Sequence, residues 1–319
     1  MARIMVTGAT GLLGRALVKH LTEQGEHQLI ACGFSRMNDA GYRLDLTQAN
    51  QVAEFVALHK PDVIVHCAAE RRPDISEQNP QAALALNADA THSLAVAARE
   101  HQAWLLYIST DYVFDGTVPK YCEDAPTNPV NFYGESKLQG EQIVLAADPG
   151  FAVLRLPILY GDVESLEESA VTILLKYLAQ TATLDTGAAA ITTPNVYIDA
   201  WAIRSPTSTQ DIAHAIAQMI NLQLTSNKDL VGCYHFSAQQ TMTKYQMLVQ
   251  MAQLLNVSHS HVIAVTSATD SAKRPRDCSL SCERLASLGI KSEVPFELGM
   301  ARALQHMPKS LLEMLNIRL

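Results

Sequence analysis

The stretch ARIMVTGATGLLG, residues 2–14, decides the fold. Residues 4–6 form an apolar run of strand length and lead into Thr7-Gly8-Ala9-Thr10-Gly11-Leu12-Leu13-Gly14. Leu17, Val18 and Leu21 then keep the spacing of an amphipathic helix. Strand, glycine-rich turn and helix make the unit that seats a pyrophosphate. Gly8 allows the tight turn, Gly11 lets the backbone approach a phosphate, and Gly14 lets the helix pack on its strand. The helix N-terminus adds free N–H groups and a partial positive charge. Gly8, Thr10, Gly11, Leu12 and Leu13 are the expected phosphate cradle. The spacing is G-x-x-G-x-x-G, not G-x-G-x-x-G, and a glycine-rich turn without a ligand is the alternative reading. Its place at the first strand of an alternating pattern favours the cradle.

Working outward, apolar runs at 4–6, 28–33, 63–67, 105–109 and 152–156 alternate with helical patterns at 13–24, 49–59, 81–100 and 133–146. This order predicts an α/β fold of Rossmann type, a doubly wound parallel sheet with right-handed crossovers. Ligands are then expected beyond the carboxyl ends of the strands. After Pro157 the pattern changes. Residues 167–178 read as a helix, 181–207 as irregular chain, 209–222 as a helix opened by Ser208, Thr209 and Asp211, 232–236 as a strand, 243–255 as a helix and 274–277 as a loop. The expected organisation is a dinucleotide-binding domain over 1–160 with returning segments from 195–225. Residues 161–319 are expected to form most of a smaller, interleaved α/β substrate lobe.

With 319 residues and 48% hydrophobic content, the chain can bury a large core. A net charge of −8 argues against a nucleic-acid surface. No apolar run has membrane-spanning length, and no secretory pattern fits before Thr7, so a cytoplasmic protein is expected. The six cysteines are scattered and read as reduced packing thiols; Cys278 and Cys282 lack a matching second pair, and no metal site is expected.

In NAD-type units an acidic residue roughly 20 residues past the loop bonds the ribose 2′-hydroxyl. Here the second strand runs into Ala31-Cys32-Gly33-Phe34-Ser35-Arg36, without a carboxylate. Arg36, helped by Arg15, can pair with a 2′-phosphate, so NADP(H) is the preferred coenzyme and NAD(H) the alternative. A merely solvated Arg36 is the other reading. Asp45 and Leu46 are placed beside the adenine, and Cys67, Ala68 and Ala69 end the third long strand with the small side chains that close approach requires.

Tyr133 and Lys137 stand four apart on a predicted helix and share a face. A nearby ammonium favours tyrosinate and lowers the phenol pKa, and a tyrosine so tuned protonates a carbonyl oxygen as hydride arrives at carbon. Ser109-Thr110-Asp111 ends the strand 105–109, where a hydroxyl can hold the substrate oxygen; a turn or cap role is the alternative. Glu70, Arg71 and Arg72 lie just beyond another strand end, as a solvated loop or as groups facing substrate. Arg274 can reach a diphosphate from the second lobe. Asn87 lies inside the helical pattern 81–100.

Together the glycine loop, Ser109-Thr110-Asp111 and Tyr133-x-x-x-Lys137 resemble the extended short-chain dehydrogenase/reductase family over essentially the whole chain. STDYVFDG at 109–116, NFYGESKL at 131–138, SPT at 205–207 and Arg274-Pro275 are similar to the dTDP-4-dehydrorhamnose reductase branch. That resemblance implies Thr110, Tyr133 and Lys137 as the catalytic set, with Tyr133 as general acid and Lys137 also on the nicotinamide ribose. It implies Asn87 near the active site, a nucleotide-sugar substrate and a role in dTDP-rhamnose biosynthesis; the residues' own charge and placement make Glu70, Arg71 and Arg274 the expected substrate contacts. HCAAERRPD at 66–74, LPILYG at 156–161, LEESAVT at 166–172 and MTKY at 242–245 are similar to another branch, the regulatory β subunits of methionine adenosyltransferase. This second resemblance implies an NADP-binding regulatory protein with a methionine adenosyltransferase catalytic subunit as partner; a homodimer is the other assembly considered. One departure from the reductases stands out: Leu156-Pro157-Ile158 follows Arg155 where they usually carry Thr-Ser-Trp, so the aromatic face for the sugar is missing.

Overall fold

A computed structural model describes residues 1–37, 41–179, 194–225, 229–268 and 273–315. The apolar run around the glycine loop becomes β1 (Arg3–Thr7), and the helix that follows spans Leu12–Gln24. In chain order come β2 (Gln28–Gly33), β3 (Tyr42–Arg43), β4 (Val63–His66), β5 (Trp104–Thr110), β6 (Ala152–Leu156), β7 (Leu159–Tyr160), β8 (Val196–Asp199), β9 (Thr207–Ser208), β10 (Gly232–His235) and β11 (Val262–Val265). Seven of them form one sheet in the order β10-β6-β5-β4-β1-β2-β3. Every pairing in it is parallel, with Ile4 opposite Leu29 on one side and Val63 on the other. This is the doubly wound α/β fold of Rossmann type.

Strand side chains alternate faces, and the core divides accordingly. Ile4, Val6, Val63, Val65, Leu106 and Leu154 pack with Leu17 and Leu21 of the first helix and Ile212 and Ile216 of the helix Thr209–Thr225. Met5, Ile64, Leu105, Tyr107 and Val153 face the other way, onto Val52, Val56, Leu94 and Val144. Parallel strands buried on both sides read as continuous apolar runs, which is why these segments show little alternation in sequence. A further apolar cluster gathers Tyr160, Leu166, Leu175, Met247, Met251, Phe296 and Met300.

Two glycines fix the first turn. Gly8 has φ +65°, and a Cβ there would meet the Ala68 amide nitrogen at 2.7 Å; one on Gly14 would meet the Gly8 carbonyl oxygen at 2.1 Å. Gly8→Ala is expected to cost about 1–3 kcal/mol from left-handed strain alone, read as a lower urea midpoint.

Three segments differ from the sequence expectation. Residues 167–178 do not form one helix: short 3-10 turns at Leu166–Glu168 and Thr172–Leu174 precede a helix at Leu175–Ala179. The Ser169 hydroxyl donates to the Leu159 carbonyl and accepts from the Val171 amide, offering the backbone partners outside a helix. The helical stretch 81–100 is interrupted by a π turn at Ala85–Asp89 between Pro80–Leu84 and Ala90–Glu100. Within the segment read as irregular, β8 pairs in parallel with β11, and β9 pairs with β7; residues 181–193 of that segment lie outside the described residues.

Candidate active site

The carboxyl ends of β1, β2, β4 and β5 open onto one cleft of about 720 Å³. The cleft starts at the helix Leu12–Gln24, whose N-cap Gly11 makes no side-chain capping bond. Thus the first N–H groups of that helix receive no side-chain cap, as an anion cradle requires. Gly8, Thr10, Gly11, Leu12 and Leu13 line this end, followed by Cys67, Ala68 and Ala69 from the end of β4 and by Asp45 and Leu46. Both the near-contact of Gly8 with Ala68 and the cleft's extent suit an extended dinucleotide. His66 beneath it is structural: Nδ1 lies 2.7 Å from Thr7 Oγ1 and Nε2 3.0 Å from Thr91 Oγ1, and burial first, then Lys137, pushes its pKa down to about 3. The Cys67 thiol is pushed up to about 12 by burial and is inert at neutral pH.

Thr110, Asp111, Tyr133 and Lys137 line the opposite end. The helix Phe132–Ala147 carries the last two, and its N-cap Asn131 accepts from the Gly134 amide at 2.9 Å. Asn131 Nδ2 donates to the Lys273 carbonyl, tying this helix start to the chain segment of Arg274. Thr110 Oγ1 donates to Asp111 Oδ1 at 3.2 Å, and its hydroxyl acts to lower the Tyr133 phenol pKa. Tyr112 packs edge-on to Tyr133, with ring centroids 6.0 Å apart.

The expected depression of the Tyr133 pKa is not found. Burial raises it, Asp111 and Tyr112 add to the rise, and Thr110 and Arg71 offset only part. Lys137 is directed inward instead: Nζ lies 4.0 Å from the centroid of the Tyr107 ring, the side chain is buried, and burial lowers its pKa to about 7 against the pull of Glu141. Burial penalises both ionised forms, and helical spacing alone carries no information on that term. Tyr133 therefore keeps its proton at neutral pH.

Ser109 is withdrawn from the cleft's chemistry by a 2.5 Å bond to Glu141 Oε1. Arg71 and Arg274 line the cleft, and Arg274 also pairs with Asp74 at 2.8 Å. Glu70, expected to face substrate, is not among the lining residues: both its carboxylate oxygens bind Arg72, and its main chain is held by Asn87. Asn87 sits on the π turn, fully buried, and also donates to Ser136 at 2.9 Å, so it fixes the helix that carries Tyr133 and Lys137. A π turn in a helix is frequently a functional feature.

Arg36 lines the cleft beyond the end of β2, but it is neither free nor merely solvated. It pairs with Glu168 and, at 3.4 Å, with Glu164, while Arg15 bonds both Glu168 oxygens, at 3.1 and 2.5 Å. Sequence reasoning missed Glu168, which lines the same cleft. It also missed Arg204, a buried side chain that donates to Tyr112 Oη at 3.3 Å and to the carbonyls of Ile203, Pro275 and Arg276. Neither has a local signal, since their side-chain partners, Arg15 and Arg36 for Glu168 and Tyr112 for Arg204, are far away in sequence.

Asp111 is 3% exposed, and burial raises its carboxyl to about 7, against Arg204 and the Thr110 bond. From the usual carboxylate range up to about pH 7 the folded protein keeps a proton that the unfolded chain has lost, so Asp111 lowers stability as pH rises through that window. Lys137 acts oppositely from about pH 7 to its usual range, where the unfolded chain binds the extra proton and stability rises with pH. Asp111→Asn should remove the first trend: its gain in unfolding free energy over wild type, read from urea titrations, should be larger at about pH 8 than at about pH 5 by on the order of a few kcal/mol.

A family model described as RmlD substrate binding domain matches residues 2–308. Methionine adenosyltransferase 2 subunit beta of Bos taurus is 42% identical over 303 residues, covering 95% of this chain and 87% of the relative. A dTDP-4-dehydrorhamnose reductase of Aggregatibacter actinomycetemcomitans is 30% identical over 293 residues, covering 89% and 92%. The crystal structure of dTDP-4-dehydrorhamnose reductase from Bacillus anthracis in complex with NADP superposes with a TM-score of 0.80 at 27% identity, covering 95% of this chain and 99% of that one. A glycine cradle at β1, a threonine at the end of β5 and a tyrosine–lysine pair on the next helix thus stand in a chain that belongs to the RmlD substrate-binding family of extended short-chain dehydrogenases/reductases.

Proposed function

We propose that the protein is an NADPH-dependent reductase of the 4-keto group of a dTDP-deoxysugar, working in the cytoplasm on the route to dTDP-rhamnose. The observation that carries this reading is the convergence of Thr110, Tyr133 and Lys137 on the cleft that begins at the open helix N-terminus. In this reading Gly8, Thr10, Gly11, Leu12 and Leu13 hold the pyrophosphate, Asp45 and Leu46 flank the adenine, and Cys67, Ala68 and Ala69 allow close approach. NADPH, when bound, supplies the hydride. Thr110 fixes the substrate oxygen, Tyr133 delivers its phenolic proton to that oxygen, and Lys137 holds the ribose. Arg71 and Arg274 bind the diphosphate of the substrate, and residues around the apolar cluster of Tyr160, Met247 and Phe296 form the substrate lobe. NAD(H) is the alternative coenzyme.

A second reading, an NADP-binding regulatory subunit for a methionine adenosyltransferase, is favoured by the 42% identity to the β subunit and by Pro157 and Ile158 lining the cleft without an aromatic neighbour at 156–158. Oxidation of NADPH in the presence of dTDP-4-dehydrorhamnose tests the first. No turnover above that of Tyr133→Phe would remove it, and co-purification with a methionine adenosyltransferase catalytic subunit, with altered kinetics of that partner, would then support the second.

A further inference from the structure

The 2′-oxygen of an adenine dinucleotide is read at the end of the second strand of such a fold, by a carboxylate for a hydroxyl or by an arginine for a phosphate. This chain places both kinds of group there, from distant parts of the sequence. Arg36 follows β2, Arg15 lies on the first helix, and Glu168 reaches them from the 3-10 turn Leu166–Glu168. Arg15 spans the Glu168 carboxylate, with Nη1 on Oε1 at 3.1 Å and Nη2 on Oε2 at 2.5 Å; Arg36 Nη1 also bonds Oε1, and the Glu164 amide donates to Oε2 at 3.0 Å. The Glu168 side chain is 8% exposed, against 49% for Arg36 and 24% for Arg15. Burial pushes its carboxyl up, but the bonds from Arg15, the Glu164 amide and Arg36 outweigh burial and hold it at about 2, so it stays charged. The neighbouring Glu167 carbonyl accepts from Arg71 Nη2 at 3.2 Å, and Arg71 and Tyr133 line the same cleft closely enough for their charges to interact.

Resting on the coenzyme site proposed above, we infer that Glu168 is a latch occupying the anion site of the 2′-phosphate. NADP(H) enters by displacing the Glu168 carboxylate from Arg36, whereas NAD(H) leaves that pair closed. The physical reason is charge. A phosphate monoester carries about −1.5 to −2 near neutral pH, and Arg15 and Arg36 already face the carboxylates of Glu164 and Glu168. Holding a phosphate beside an undisplaced Glu168 would set like charges side by side in a half-buried place. A 2′-hydroxyl has no such conflict. Displacement of Glu168 moves the turn whose Glu167 carbonyl holds Arg71, so the identity of the coenzyme is relayed to a group that the proposed reaction uses on its substrate.

The test is coenzyme binding to the full chain, without turnover. NADPH and NADH are titrated separately by fluorescence, with adenosine 2′-phosphate as competitor, on wild type, Glu168→Gln and Arg36→Met. Glu168→Gln is expected to tighten NADPH and adenosine 2′-phosphate by about 10- to 150-fold, the scale of one charge-assisted bond no longer broken on binding, and to leave NADH within about twofold. Arg36→Met is expected to weaken NADPH selectively. In wild-type hydrogen exchange, NADPH should speed and NADH should not speed exchange of the amides at 164–172, a readout that needs no variant. Equal changes for both coenzymes in Glu168→Gln, or NADPH protection of 164–172, overturn the latch and leave the reductase reading standing. Failure of every form to bind either coenzyme overturns both.

Discussion

Tyr133→Phe is expected to lower kcat/KM for carbonyl reduction by about 10²–10⁴-fold, the range that a positioned general acid supplies, while leaving NADPH affinity within about twofold. The variant removes one oxygen. Tyr133 lies at the cleft surface between Thr110 and Tyr112, and its ring contact with Tyr112 survives the change. Because burial keeps the phenol protonated at neutral pH, the wild-type residue starts as the acid that reduction needs. The check is steady-state NADPH oxidation with dTDP-4-dehydrorhamnose beside a coenzyme titration. A variant with wild-type turnover would show that the proton comes from elsewhere. A protein whose biological effect lies in docking to a methionine adenosyltransferase would keep that effect after losing this hydroxyl, so one substitution separates the two readings.

The largest effect on stability is expected beneath the site. Arg155 and Glu141 are 5% and 3% exposed and form a two-pronged pair, with Nε on Oε1 at 2.9 Å and Nη2 on Oε2 at 2.7 Å. Ser109 donates to the same carboxylate, and Arg155 Nη1 donates to the Glu123 carbonyl and lies 3.3 Å from His235 Nε2. His235 is held neutral, its pKa pushed to about 3 by burial and by the Arg155 charge, so it offers a lone pair to that guanidinium. Glu141→Ala strands a buried cation and is expected to cost about 3–5 kcal/mol, while a double replacement by apolar residues of similar volume costs far less. Urea unfolding of the single and double variants checks this; a single variant as stable as the double would refute it. The pair joins β6 to the helix of Tyr133 and Lys137, so the single variant should also loosen the catalytic end of the cleft.

What the sequence revealed was what is local. Residues 2–14 carry strand, turn and helix within thirteen positions, and each glycine acts on a neighbour in the same turn or on the adjoining strand end. Tyr133 and Lys137 are paired by helical spacing, and the cleft contains both. Their ionisation was not legible, because it depends on burial and on groups such as Asp111 and Glu141 that arrive from elsewhere in the fold. Arg36 stands out in sequence as a cation beyond β2, but its partner Glu168 lies 132 positions away. Residues 167–178 were misread because Ser169, at the start of a helical apolar pattern, spends its hydroxyl on backbone groups of its own loop. Glu70 was misplaced because nothing in the ERR run tells which arginine its carboxylate selects.

The order of strands bears on how the chain is made. β6 is completed at residue 156, yet its outer neighbour β10 begins only at residue 232, and the helix Thr209–Thr225, which packs beside the first helix on one face of the sheet, ends at residue 225. A chain emerging from the ribosome therefore holds a nearly complete parallel sheet with one bare edge and one half-covered flank while some seventy further residues are synthesised. Such an edge is a template for pairing with other chains. The nascent protein has its greatest need of chaperone cover in that interval, and a message truncated before residue 232 should yield a sticky product, not a smaller working one.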